Sequence, residues 1–277
     1  MRIKLILLSI SMLLAISSDA AAQAPSATHE TILVPIVVPA GEDVSGAYGS
    51  QWRGEVWMRV GTDVALGSDL QLGRRCPTCS YQPGSIQKLD LLTWQSAALL
   101  IVRRDVGNDL SFNARLFELS RRSQPQGVEV PIVRERDLLQ EPVDLLGIPI
   151  SHESRASIRI FDPFPFLQGS LFDVQVFGDS GLLATTTLKT EFDPALVGPP
   201  GGLGQLWTPA FAILPDLRAA FPQIAGQNVV HVRVVPHERN FPPYPTMYWT
   251  MASVTDNETQ HVLLVTPQCC SPALEWP

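Results

Sequence analysis

The sequence predicts an all-β protein, organised as tandem immunoglobulin-like β-sandwiches with Pro/Gly-rich loops. Three observations carry that expectation. The 24 prolines and 19 glycines interrupt the 277 residues so often that little room remains for a long helix. Short segments alternate apolar and polar residues between clusters of turn formers, the period of two that a half-buried strand needs. Hydrophobic residues make up 45% of the chain and charged residues 17%, which suits packed cores and not disorder. Coiled coils, helical bundles and DNA-binding helical domains are disfavoured by the first observation. A net charge of -7 leaves no cationic excess for phosphates, so no nucleic-acid partner is expected.

Residues 1–22 read as a signal peptide. Arg2 and Lys4 precede the run Leu5–Ile16, which only serines interrupt, and Ala20-Ala21-Ala22 offers a small-residue cleavage site. That run is too short for a bilayer, which takes about 20 apolar residues. The expected mature chain is therefore secreted or periplasmic, with no transmembrane segment.

The strands follow in order. Thr31–Val38 is the first, with Pro35 suggesting an edge or a bulge. Trp52–Val60 sets Val56, Met58 and Val60 against Arg53, Glu55, Trp57 and Arg59. Ala97–Arg104 is a more continuous apolar run, and Ser111–Leu119 places Phe112, Ala114 and Leu116 on one face. Ala156, Ile158 and Ile160 alternate with Arg155, Ser157 and Arg159; Phe172, Val174 and Val176 alternate with Asp173, Gln175 and Phe177. Val230, Val232 and Val234, then Tyr244–Val254 and His261–Thr266, complete the set. Glu135–Gln140 and Pro215–Phe221 are short helical connectors, the second with proline at its first position.

The expected domains are 23–124 and 125–270, followed by a tail at 271–277. The boundary falls in the polar, breaker-rich stretch Arg121–Glu129. An internal echo supports two units. Val34-Pro35-Ile36-Val37 recurs as Val130-Pro131-Ile132-Val133, each followed by a turn-rich stretch and a strand with alternating arginines, Arg53/Arg59 and Arg155/Arg159.

Cys76, Cys79, Cys269 and Cys270 are disulfide candidates, an even number in a chain expected to be exported, with three connectivities open. A redox Cys76-Pro77-Thr78-Cys79 is disfavoured, because Ser80-Tyr81-Gln82-Pro83-Gly84 cannot begin the helix that lowers a thiol pKa. A four-cysteine zinc site is disfavoured too, since Cys269 and Cys270 are adjacent.

Gly178-Asp179-Ser180-Gly181 matches the tetrapeptide around the nucleophile of trypsin-like proteases. It sits between two strand-like segments and reads as their turn, with glycines at positive-φ positions. His237-Glu238 lacks a second histidine and reads as a surface pair; His231 and His261 read as sheet histidines. Asp256, Asn257 and Glu258 form an oxygen-rich turn in which calcium competes with a plain polar hairpin. No catalytic residue, metal ligand or cofactor is assigned. The candidate binding aromatics are Phe241, Tyr244, Tyr248 and Trp249, in a Pro-rich loop where they would stack on a glycan or pack a protein partner. The competing reading has them plug the end of a sandwich.

Two segments carry a resemblance: Phe112-Asn113-Ala114-Arg115-Leu116-Phe117-Glu118-Leu119 onward through Val133-Arg134-Glu135, and Ala252-Ser253-Val254-Thr255-Asp256-Asn257-Glu258-Thr259-Gln260-His261-Val262. They resemble an uncharacterised family of exported bacterial all-β proteins. The resemblance implies a bacterial envelope or secreted location and brings no activity and no functional residues. With Lys4, Lys88 and Lys189 beside 17 arginines, the composition is compatible with a GC-rich genome. The functional expectation is a secreted or periplasmic, non-catalytic binding or structural module. The alternative is an extracellular hydrolase acting on glycan or peptide, whose paired carboxylates would come from distant strands.

Overall fold

The computed structural model describes residues 26–38, 43–62, 70–71, 82–89, 97–121, 125–164, 169–191, 209–238 and 245–268. Among them are 17 strands in four sheets, every pairing antiparallel. The first half supplies β1 (His29–Val34), β2 (Val44–Ser45), β3 (Gln51–Val60), β4 (Leu70–Gln71), β5 (Ile86–Leu89), β6 (Ala98–Arg103), β7 (Leu110–Glu118), β8 (Val128–Val130) and β9 (Val133–Arg134). The second supplies β10 (Val143–Pro149), β11 (Ser154–Asp162), β12 (Leu171–Gly178), β13 (Gly181–Lys189), β14 (Ala210–Leu214), β15 (Val229–Pro236), β16 (Trp249–Asp256) and β17 (Val262–Val265).

The sheets are β2-β3-β7-β8 with β5 on β3, β4-β6-β1-β9, β14-β11-β16-β17 and β10-β15-β12-β13. Alternation decides which side chains meet. Val56, Met58 and Val60 of β3 join Ile32 and Val34 of β1 and Leu100 and Val102 of β6 in one core. Ile158 and Ile160 of β11 join Phe172, Val174 and Val176 of β12 and Val230, Val232 and Val234 of β15 in another. Between them runs a seam. Leu33 of β1 and Leu99 of β6 meet Phe161 of β11 and Trp249 and Met251 of β16. The four sheets therefore stack as four layers with three apolar interiors. A strand buried on both faces needs apolar residues at consecutive positions, and Ile32-Leu33-Val34 and Ala98-Leu99-Leu100 meet that need.

The two halves repeat one pairing pattern in chain order. β1·β6, β4·β6, β3·β7, β3·β5 and β7·β8 are matched by β10·β15, β12·β15, β11·β16, β11·β14 and β16·β17. The arginine-bearing strands β3 and β11 occupy the same place in this pattern, each paired on both sides. The immunoglobulin order, in which the first strand neighbours the second, is not reproduced, because β1 and β10 each lie beside the strand sixth or later. The Val-Pro-Ile-Val echo is not part of the repeat. Its two copies end β1 and join β8 to β9, and Leu33 pairs directly with Val133.

Other expectations shift for physical reasons. β8 and β9, which follow residue 124 in the chain, pair with β7 and β1. β1 ends at Val34, immediately before the proline, and lies between β6, which pairs it along its length, and β9, which pairs Ile32 and Leu33. The later connector is a single helical turn, Leu217–Ala220, capped by Asp216, whose carboxylate accepts from the N–H groups of Arg218 and Ala219. Pro215 thus precedes the cap. The earlier one is a 3-10 turn, Glu135–Asp137. An unexpected turn, Arg104–Gly107, follows β6.

The disulfide expectation is corrected. Among the described residues there is no disulfide bond, and the described fold is held by sheet ladders and apolar interiors without a cross-link. Cys76, Cys79, Cys269 and Cys270 lie outside the described residues, as does the signal peptide expected over 1–22.

Candidate functional site

The aromatic candidates divide. Tyr248 is fully buried in the second core, its ring 5.0 Å from that of Phe172. Its hydroxyl donates to the carbonyl of Glu141 at 2.7 Å and of Val234 at 3.3 Å. Burial pushes the phenol well above its ordinary pKa, helped by the nearby Glu141 and Asp144. Trp249, the next residue, faces the other way into the seam, beside Phe161. Consecutive residues on an extended chain point to opposite faces, and this strand end is buried on both. Neither ring is presented to solvent. Phe241 and Tyr244 lie outside the described residues.

Gly178-Asp179-Ser180-Gly181 is a hairpin turn, with Gly178 paired to Gly181. Only Gly181 has positive φ, at 111°, and the register slips beside it between Val176 and Phe177, the signature of a bulged turn. His237 Nε2 lies 2.9 Å from Asp173 Oδ1 on the surface. Asp173 is held below the usual carboxylate range, first by the Thr187 hydroxyl and then by His237. His231 Nδ1 accepts from the Gly147 N–H. In the oxygen-rich turn, one Asp256 oxygen accepts from the Glu258 N–H, the Thr259 N–H and the Thr259 hydroxyl, and Asn257 accepts from Arg155. Those oxygens serve the turn itself. No group of three or more His, Cys, Asp or Glu gathers as a metal requires among the described residues.

The surface that stands out is the solvent-facing side of the β2-β3-β7-β8 sheet and β5. Register places Trp57 opposite Lys88 on one side and Asn113 on the other. The next rung holds Arg59 with Ile86 and Ser111, and the preceding one Glu55 with Arg115. Arg53, Phe117 and Glu129 complete the face. Trp57 is 38% exposed and Ile86 66%. The indole N–H donates to Glu55 at 3.2 Å and Lys88 reaches the same carboxylate at 2.7 Å. The Lys88 hydrogen bond holds Glu55 below its usual range. Arg53 pairs with Asp43 at 2.9 Å, and Asn113 donates to Glu129. Arg115 donates to the Gln126 carbonyl at 3.0 Å. Among the described residues, neither Arg59 nor Arg115 meets a carboxylate.

A shallow cleft of only about 10 Å³ adjoins this face, lined by Ile36–Val38, Gly54, Glu55, Val56, Leu89 and Arg115. Gly54 permits it: a Cβ there would come within 2.9 Å of the Val38 nitrogen. The cleft is smaller than a usual small-molecule pocket, about 300–1,000 Å³. The sequence reading used Arg53, Glu55, Trp57 and Arg59 only as the polar phase of a strand. The signal that marked them as more was the tryptophan in that phase.

These features define a predominantly β-strand protein of several packed antiparallel sheets, with a charged, Trp-bearing face on an outer sheet. Comparison with protein-family models, with curated proteins and with solved structures yields no match.

Proposed function

We propose that this chain is an exported, non-catalytic binding module built from two consecutive β-sandwich units, dividing near Asp137–Leu138, and that it binds through the outer face of the first. The observation that carries the reading is Trp57, solvent-exposed at the centre of a sheet whose neighbouring positions are charged or polar. A tryptophan offers large rigid contact area at little entropic cost and is enriched where proteins bind. The repeated pairing pattern supports tandem units, and the residues at 1–22 support export. Envelope or secreted location follows from that leader and from the resemblance of the two segments quoted above. No observation favours the hydrolase reading over this one. The test is affinity capture from a panel of envelope and extracellular polymers using the chain and its Trp57→Ala variant. Binding lost in the variant and release of no product support the module; cleavage of any captured polymer replaces it with the hydrolase.

A further inference from the structure

We propose that the ligand of this face is an acidic polysaccharide, a polymer of carboxylate-bearing sugar rings, held between Arg59 and Arg115 with Trp57 beneath it. The proposal rests on the binding-module reading and names its ligand class. Charge is the first argument. The chain carries 27 acidic against 20 basic residues, yet this face sets Arg53, Arg59, Lys88 and Arg115 against Asp43, Glu55 and Glu129. Glu55 is already engaged by Lys88 and Trp57, and Glu129 by Asn113. Asp43 occupies Arg53. Arg59 and Arg115 remain with no carboxylate of their own among the described residues. A guanidinium binds a carboxylate through two parallel hydrogen bonds, so each is ready for one acidic group.

Spacing is the second argument. Arg59 stands opposite Ser111, four residues from Arg115 on the same strand and the same face. At about 3.3 Å per residue the two sites lie roughly 13 Å apart along the strand, a distance for successive units of a polymer and not for a single small anion. Trp57 lies between them. Its ring presents a negative face to which the C–H face of a sugar is attracted, and Asn113 and Lys88 flank it with hydrogen-bonding side chains.

The binding groups lie on a sheet face and not on an edge. β3 is paired on one side by β7 and on the other by β5 over this stretch. A peptide strand would find no free ladder to join there, which favours a rigid polyanion that needs only side chains.

The experiment uses the full chain and titrates polyuronate (alginate and polygalacturonate) by isothermal calorimetry. Neutral dextran, poly-glutamate and phosphatidylglycerol vesicles are run in parallel. Polyuronate should bind, and bind more weakly as salt rises. Trp57→Ala and the double variant Arg59→Gln/Arg115→Gln should each weaken it at least about tenfold, while Arg136→Gln, away from this face, should leave it unchanged. Circular dichroism of each variant checks that it folds; these side chains are exposed or half-buried. Unchanged affinity in both face variants overturns the proposal. So does failure to bind either polyuronate, or equal binding of vesicles or poly-glutamate. If dextran is bound instead and Trp57→Ala abolishes it, the acidic class falls and the module stands. If polyuronate is cleaved, the non-catalytic reading itself falls.

Discussion

Tyr248 shows how one side chain converts burial into stability. Its hydroxyl is tied to two carbonyls inside the core, so Tyr248→Phe leaves both without that donor. We expect a loss of about 1–2 kcal/mol in urea unfolding at neutral pH. The same residue sets an alkaline limit. Because burial raises the folded phenol's pKa, its contribution is complete below the unfolded value near 10 and declines as pH rises beyond it. Stability measured from pH 8 to 11 should fall less steeply in Tyr248→Phe than in the parent. Arg159 works in the opposite sense. It lies on β11 with its Nε and Nη1 enclosed and unpartnered, and burial pushes the guanidinium below its ordinary pKa. Enclosed donors without acceptors are costly. Arg159→Met keeps the apolar stem and removes them, so its thermal midpoint should rise, by the equivalent of about 1 kcal/mol.

At the level of elements, the β12–β13 hairpin depends on one backbone angle. Gly181 sits at φ 111° with open space around the missing Cβ, so crowding is not the constraint. Gly181→Val should cost about 1–2 kcal/mol from backbone strain alone, whereas Ser180→Ala, at the position a protease would use for its nucleophile, should be nearly neutral. Thermal melts of the two variants separate these outcomes. The hairpin was legible because two alternating strands met at Gly-Asp-Ser-Gly. The connector capped by Asp216 was legible in place but not in its start, since a proline one residue earlier gives a similar local signal. The pairing of β8 with β7 and of β9 with β1 was not legible, because a polar, breaker-rich stretch reads the same whether it links two units or joins neighbouring strands.

At the level of the whole molecule, the seam couples the halves. Leu33, Leu99, Phe161, Trp249 and Met251 bury apolar surface there, and Arg155 packs over the Tyr48 ring at 5.2 Å from the other half. Unfolding should therefore be a single transition in the parent chain. Leu99→Asp places an unpaired carboxylate in the seam, and calorimetry should then show the two halves melting separately, with one well below the parent midpoint. A single transition lowered as a whole would mean that Leu99 matters only to its own sheet.

The sequence alone determined the strand class, most strand faces and the apolar phase of each core. Period-two alternation is local, and burial follows directly from it. It also made the first hints of repetition visible in the arginine-bearing strands. The tertiary structure decided which strand lies beside which, because antiparallel neighbours are chosen by long-range packing that no local window contains. It decided that Tyr248 and Trp249 face interiors, since only the stacking of sheets makes a strand end buried on both sides. For the same reason it buries Tyr248 and Trp249, the loop-end aromatics it describes, and leaves Trp57 exposed on one of the two outer faces of the stack.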